Sequence, residues 1–364
     1  KALDYWLLSS QEKYQIFEAR ADILLDLERY QEALDDLNPL LRKYRDWDSG
    51  YNLRCIVFDE LQKDAEALDD CNKAISLSPD YASPYYNRAQ IYMRTKKYAL
   101  ALDDWNTYIK LKPNNEIAYR RRGITKSELK NNQDALADFS KALEMNRSAD
   151  NFNNRAYVLV QLGRLTEADR DIAEALSKDG TKGVYWANQG LVRLRQGRLQ
   201  EALTSYEKAI SLDQKNAEAF SGRAESKEKL GDFAGAKADY QTALRLEPEL
   251  EWAKKGLAHV AAAGDPAAPT EGAPGATPAQ ANSVESAAAA ESSRPVQLPE
   301  PPELSPQLTR RLQGALAELG FNVGKPDGDL GRRTISAVAA YKRSAKLPDR
   351  KSTRLNSSHA NVSR

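Results

Sequence analysis

The chain repeats itself every 34 residues, the distance that separates Pro79 from Pro113. Ala89 sets the phase. Stepping back by that period gives Cys55 and Ala21, and stepping forward gives Gly123, Ala156 (one residue short), Gly190 and Ala224, all of them small. A second series runs alongside: Ala33, Ala67, Ala101, Ala135, Ala168, Ala202 and Ala236. Four residues after each stands Leu37, Cys71, Trp105, Phe139, Ile172, Tyr206 or Tyr240, and three further on Leu40, Ala74, Tyr108, Ala142, Ala175, Ala209 or Ala243. Small residues let two helices approach closely, and large ones fill the gap to the next unit. The copy DYASPYYNRAQIYMRTKKYALALDDWNTYIKLKP, residues 80–113, shows the local pattern. Tyr85, Ala89 and Tyr92 share one face at helical spacing. Lys96 and Lys97 mark a turn. Ala101, Trp105, Tyr108, Ile109 and Leu111 face inward from a second helix that Pro113 ends. Such a period dictates a stack of helix pairs, each covering its neighbour, in place of one central core.

These residues resemble the tetratricopeptide repeat family. The YxNRA pattern ends at Ala89, and LGRLTEA, QGRLQEA and LGDFAGA end at Ala168, Ala202 and Ala236. The resemblance covers roughly Tyr14 to Leu250. It implies an all-α fold, an α-solenoid that winds as a right-handed superhelix of helix pairs. Seven repeats are expected at 14–47, 48–81, 82–115, 116–148, 149–182, 183–216 and 217–250. Residues 1–13 are expected to form a helix left from a preceding repeat. A capping helix over Glu251–Ala263 should close the stack at 263. Gly163, Gly197 and Gly231 mark turns that need left-handed backbone. Pro39 is expected to bend or shorten the second helix of the first repeat.

Beyond Ala263 the composition changes. Residues 264–304 are rich in Ala, Pro, Ser and Glu, with few larger aliphatics. Such a segment buries too little surface to offset its ordering entropy, and a disordered tether is expected. A second unit spans 305–348: a helix with Leu308, Leu312, Leu316 and Leu319 on one face, a glycine-rich loop, and a helix with Ile335, Val338 and Tyr341. Its LQxxLxxLGF pattern lies at Leu312, Gln313, Leu316, Leu319, Gly320 and Phe321, and its DGxxGxxTxxAVxxY pattern at Asp327, Gly328, Gly331, Thr334, Ala337, Val338 and Tyr341. This resembles the small helical peptidoglycan-binding domain of bacterial cell-wall proteins. That family's third helix is missing, so the domain reads as truncated. Asp349–His359, DRKSTRLNSSH, resembles the in-frame translation of a sequencing adapter, and 349–364 is read as an artefact tail.

Lys and Arg number 53 against 52 Asp and Glu, so no net field draws the chain to nucleic acid. No apolar run is long enough to span a bilayer. Cys55 and Cys71 fall on the packing positions of one repeat and should face each other. The expectation is a pair of reduced, buried apolar residues; a disulfide, which requires an oxidising compartment, is the alternative. No catalytic constellation, cofactor site or metal-ligand spacing is found. His259 reads as a surface residue of the capping helix. The paired acids Asp35-Asp36, Asp69-Asp70 and Asp103-Asp104 read as solvated helix faces.

What remains is a surface. Two residues before each small crossing residue stand Ala19, Leu53, Asn87, Arg121, Asn154, Asn188 and Gly222. Carboxamides donate to and accept from a peptide backbone, so Asn87, Asn154 and Asn188 with Arg121 are expected to hold an extended partner in the concave groove. Arg120, Arg122 and Arg155 add positive charge, which favours an acidic peptide. In the carboxy-terminal unit, Arg310, Arg311, Lys325, Asp327, Arg332 and Arg333 are the candidate contacts to peptidoglycan. The expected function is a non-catalytic scaffold for a protein partner, tethered to the wall in the periplasm or cell envelope. The alternatives are the targeting part of a wall hydrolase or protease, and a cytoplasmic scaffold.

Overall fold

The computed structural model describes residues 10–263, together with 310, 313, 314, 317 and 323. Residues 10–263 form fifteen helices and no strand. The first helices of the pairs are α1 (Ser10–Asp26), α3 (Asp48–Glu60), α5 (Ala82–Arg94), α7 (Glu116–Glu128), α9 (Ala149–Gln161), α11 (Gly183–Arg195) and α13 (Ala217–Lys229). Their partners are α2 (Tyr30–Lys43), α4 (Asp64–Leu77), α6 (Tyr98–Leu111), α8 (Asn132–Met145), α10 (Leu165–Lys178), α12 (Leu199–Leu212) and α14 (Phe233–Leu246). A further first-type helix, α15 (Glu251–Ala263), follows. Ser10–Lys13, expected to end a preceding helix, instead open α1. Residues 1–9, the expected linker, most of the 305–348 unit and the 349–364 tail lie outside the described residues.

The two alanine-marked series are where the pairs lock. Every crossing residue from Ala21 to Ala224 is buried, as are Leu37, Trp105, Phe139, Ile172, Tyr206 and Tyr240 opposite. The fit is tight enough to demand glycine: a Cβ on Gly123 would come within 2.9 Å of the Phe139 ring. Tyr206 touches two first helices at once. A Cβ on Gly190 would lie 2.8 Å from its ring, and one on Gly222 of the next repeat 2.2 Å from its Cζ. Each large side chain thus closes its own pair and seals the joint to the next.

Cys55 and Cys71 occupy this crossing in the second repeat. They are joined by a disulfide, with Cα atoms 5.5 Å apart, so the expected reduced pair is corrected. The geometry of the slots is the reason: facing positions on a close helix pair lie within bonding reach of two thiols.

The paired acids divide. Asp35, Asp69 and Asp103 are exposed, but Asp36, Asp70 and Asp104 are buried and ion-paired. The partner is an arginine sixteen residues upstream. Arg54 donates to Asp70 through Nε (2.6 Å) and Nη2 (2.8 Å), and through Nη1 to Asn38 of the preceding repeat (2.8 Å). Arg88 does the same with Asp104 and Asn72, and Arg122 with Asp138 and Asn106. Arg155–Asp171 and Arg223–Asp239 continue the series without the asparagine. The sixth repeat substitutes an uncharged version, Ser205 Oγ donating to Gln189. Aromatic rings three residues before the arginine cover several of these clasps, as Tyr85 does for Arg88 and Tyr119 for Arg122.

The turns inside the pairs are left-handed throughout. Gly163, Gly197 and Gly231 have φ of 73°, 77° and 87°, as the sequence suggests. The first four repeats reach the same conformation with Glu28, Gln62, Lys96 and Lys130, at φ of 56° to 62°. Pro39 does not shorten its helix: α2 has the same 14 residues as α4.

Candidate functional site

First helices of successive repeats touch along the stack, whereas successive second helices make no comparable contact. The first helices therefore form the inner face. The Tyr157 hydroxyl of α9 is pushed up to about 12 by burial and by the Glu218 and Glu128 carboxylates of α13 and α7. Burial pushes Glu218 itself up to about 7, with Glu247 and Glu128 adding repulsion.

The polar row is present but engaged. Asn87, 3% exposed, donates through Nδ2 to Asn52 of the repeat before (2.9 Å). Asn188, 7% exposed, donates likewise to Asn153 (2.8 Å). Asn52 and Asn153 were not singled out in the sequence, because each bond joins the column three residues before the crossing to the column two before it. Asn154 is half-buried, and its side chain makes no hydrogen bond among the described residues. At Gly222 the row ends, its side-chain space taken by Tyr206.

The expected cations fall into three kinds. Arg122 and Arg155 belong to the clasps with Asp138 and Asp171, so their charge is met inside the fold. Arg120 lies 3.4 Å from Glu116, whose Oε1 also accepts from Asn151 Nδ2 (2.7 Å). Arg121 is buried, with no carboxylate in ion-pair reach among the described residues. Asp150 nearby is held by Lys182 Nζ (2.9 Å) and by the Tyr185 hydroxyl. Burial works against its carboxylate, but those two donors prevail and keep its pKa below the usual range.

Beside the polar row runs an apolar one. Ile124, Tyr157 and Leu191 each follow a crossing residue directly, and all are partly buried against one core cluster. The inner face of the central repeats therefore offers carboxamide, guanidinium and apolar surface side by side. That combination suits a polypeptide backbone with one charged and several apolar side chains.

Of the candidate wall contacts only Arg310 is among the described residues, helical and exposed. Arg311, Lys325, Asp327, Arg332 and Arg333 lie outside them. Gln313 and Val323 of the same unit are buried. His259 is exposed and contacts the Glu228 carboxylate, which also accepts from the Tyr240 hydroxyl (2.9 Å).

Comparison with known families gives four matches. Tetratricopeptide repeat models match residues 82–115 and 217–250, and a TPR repeat model matches 190–231. A putative peptidoglycan binding domain model matches 305–349. Among solved structures the chain is similar to a tetratricopeptide repeat protein from Parabacteroides merdae ATCC 43184, with TM-score 0.57 and 21% identity over 69% of this chain and 100% of that one. It is also similar to the APC/C hetero-tetramer Cut9-Hcn1, with TM-score 0.53 and 14% identity over 63% of this chain and 47% of that one. At these identities the likeness concerns the fold alone. No curated protein matches the chain.

Proposed function

We propose that this chain, a tetratricopeptide-repeat solenoid carrying a peptidoglycan-binding-like module, is a non-catalytic scaffold that holds a protein partner at the bacterial cell wall. The observation that carries the reading is the match of residues 305–349 to a putative peptidoglycan binding domain on the same chain as the solenoid. The repeats supply a surface for a polypeptide, and the module supplies an address. The Ala/Pro-rich residues 264–304 act as the tether between them.

The compartment follows from the same reading. Peptidoglycan lies outside the cytoplasmic membrane, and the Cys55–Cys71 disulfide fits an oxidising environment such as the periplasm. No described helix is long and apolar enough to cross a membrane.

The test is co-sedimentation with purified peptidoglycan. The full chain is expected in the pellet at low salt, and a chain ending at residue 263 in the supernatant. Arg310, Arg311, Lys325, Arg332 and Arg333 would meet anionic wall carboxylates, so the pelleted fraction should fall as salt rises. A full chain that stays in the supernatant at low salt would remove the wall from the reading and leave a scaffold without an anchor.

A further inference from the structure

We infer that Arg121 is the point at which the inner face receives an internal carboxylate, an Asp or Glu side chain of an extended polypeptide partner. This rests on the peptide-binding reading of the inner face and narrows it to one chemistry.

Three arginines of the solenoid are buried: Arg20 at 2% exposure, Arg121 at 6% and Arg120 at 8%. Two have an anion. Asp36 stands 2.8 Å from Arg20, and Glu116 stands 3.4 Å from Arg120. The clasp arginines, less buried, each have an aspartate as well. Arg121 has none among the described residues, and its Nε meets no acceptor. Burial pulls its guanidinium below the ordinary arginine range. The Tyr86 hydroxyl supports the cation, Arg120 repels it, and Asp150 attracts it from beyond ion-pair distance. Asp150 is committed to Lys182 and Tyr185.

A desolvated charge without a partner burdens the isolated chain, since the cost of removing it from water is not offset by attraction. A guanidinium presents five donors in a planar fork shaped for a carboxylate. A bound carboxylate would satisfy those donors and end the imbalance.

Position decides which carboxylate. Arg121 lies on α7, with α5 and α9 beside it on the inner face. Asn154, one repeat further on, makes no side-chain hydrogen bond among the described residues and can meet a backbone. Ile124, Tyr157 and Leu191 continue the apolar row to the sixth repeat. A ligand seated here runs on in both directions, so the carboxylate is a side chain within the peptide and not its terminus.

The experiment uses the immobilised full chain and three pools of short peptides, blocked at both ends and randomised around a fixed central Glu, Gln or Lys. A fourth pool has central Gln and a free terminal carboxylate. The Glu pool is expected to be retained about ten- to a hundredfold over the Gln pool, a ratio that falls with salt. Free-carboxylate peptides should behave as the Gln pool does. Arg121→Met and Arg121→Gln should abolish the preference, so that the Glu and Gln pools are retained equally. Because they remove an unpaired buried charge, they should also raise the unfolding midpoint of the free chain. Equal retention of Glu and Gln pools by the parent chain overturns the inference while sparing the groove, and so does a lowered midpoint in both variants. A terminal-carboxylate preference moves the site to chain ends and overturns the internal assignment. If no pool is retained above a blank surface, the peptide-binding reading itself falls.

Discussion

Cys55 and Cys71 are bonded across α3 and α4 at the place where Ala89 meets Trp105 one repeat later. Six repeats close this crossing with a small residue against a large one, from Ala21 and Leu37 to Ala224 and Tyr240. The second repeat has no large residue there, and a covalent bond takes the place of packed volume. Cys55→Ala with Cys71→Ala should therefore cost about 2–4 kcal/mol, the sum of a lost crosslink and a poorly filled crossing. Cys55→Ala with Cys71→Leu rebuilds the first repeat's solution and should recover much of that. Denaturant unfolding of the three proteins checks it; equal stability of the two double variants would show that volume is not what the disulfide replaces.

Asp104→Ala takes the carboxylate away from Arg88 while leaving the guanidinium partly desolvated. A loss of about 2–4 kcal/mol is expected, because an orphaned charge costs more than the pair contributes. Arg88→Gln with Asp104→Ser copies Gln189 and Ser205 and should cost less than the single change. Thermal unfolding distinguishes the two; a single variant as stable as the parent would mean that Asn72 and the Tyr85 ring suffice to hold Arg88.

The Glu218 carboxyl is pushed up to about 7 in the fold, from an ordinary 4.5. Between those values the folded chain holds a proton that the unfolded chain has released. Stability from this group is thus present below about pH 4.5 and is lost as pH rises through about 7. Glu218→Gln should remove that slope and stabilise the chain at pH 8 by about 1–3 kcal/mol. Urea titrations of both proteins from pH 5 to pH 8 provide the check. Parallel pH profiles would refute it.

Lys96 turns the chain in the left-handed region at φ 56°. Glycine adopts that conformation without a Cβ clash, so Lys96→Gly should stabilise by roughly 0.5–1 kcal/mol after its greater freedom in the unfolded chain is counted. A lower midpoint for the variant would show that the lysine side chain contributes more than its backbone costs.

The helix pairs were legible because burial recurs: Ala101 and Trp105 have the same surroundings as Ala202 and Tyr206, and a fixed period exposes them. The left-handed turns were legible only where glycine marks them; Gln62 and Lys130 carry no such sign. Asp70 and Asp104 read as solvated residues in the sequence because each follows an exposed acid, Asp69 or Asp103. The signal that would have separated them was present in the arginine sixteen residues upstream, at Arg54 and Arg88. The inner-face asparagines were found as a column, but their partners Asn52 and Asn153 lie in another column, and a search at one fixed period cannot see bonds that cross between columns.

Those cross-column bonds govern how any long ligand must lie. The sequence recurs every 34 residues, yet the first helices are joined 35 apart, as in Asn52 to Asn87, Asp150 to Tyr185 and Asn153 to Asn188. Each of these bonds ties one column to the next, so the inner face is laced on the diagonal. A partner that follows it keeps to no single column. It enters over one set of positions and leaves over another, and a scan of its contacts should trace a diagonal across the repeats. Recognition by such a surface is written along that diagonal, and a substitution matters according to where on the diagonal it falls.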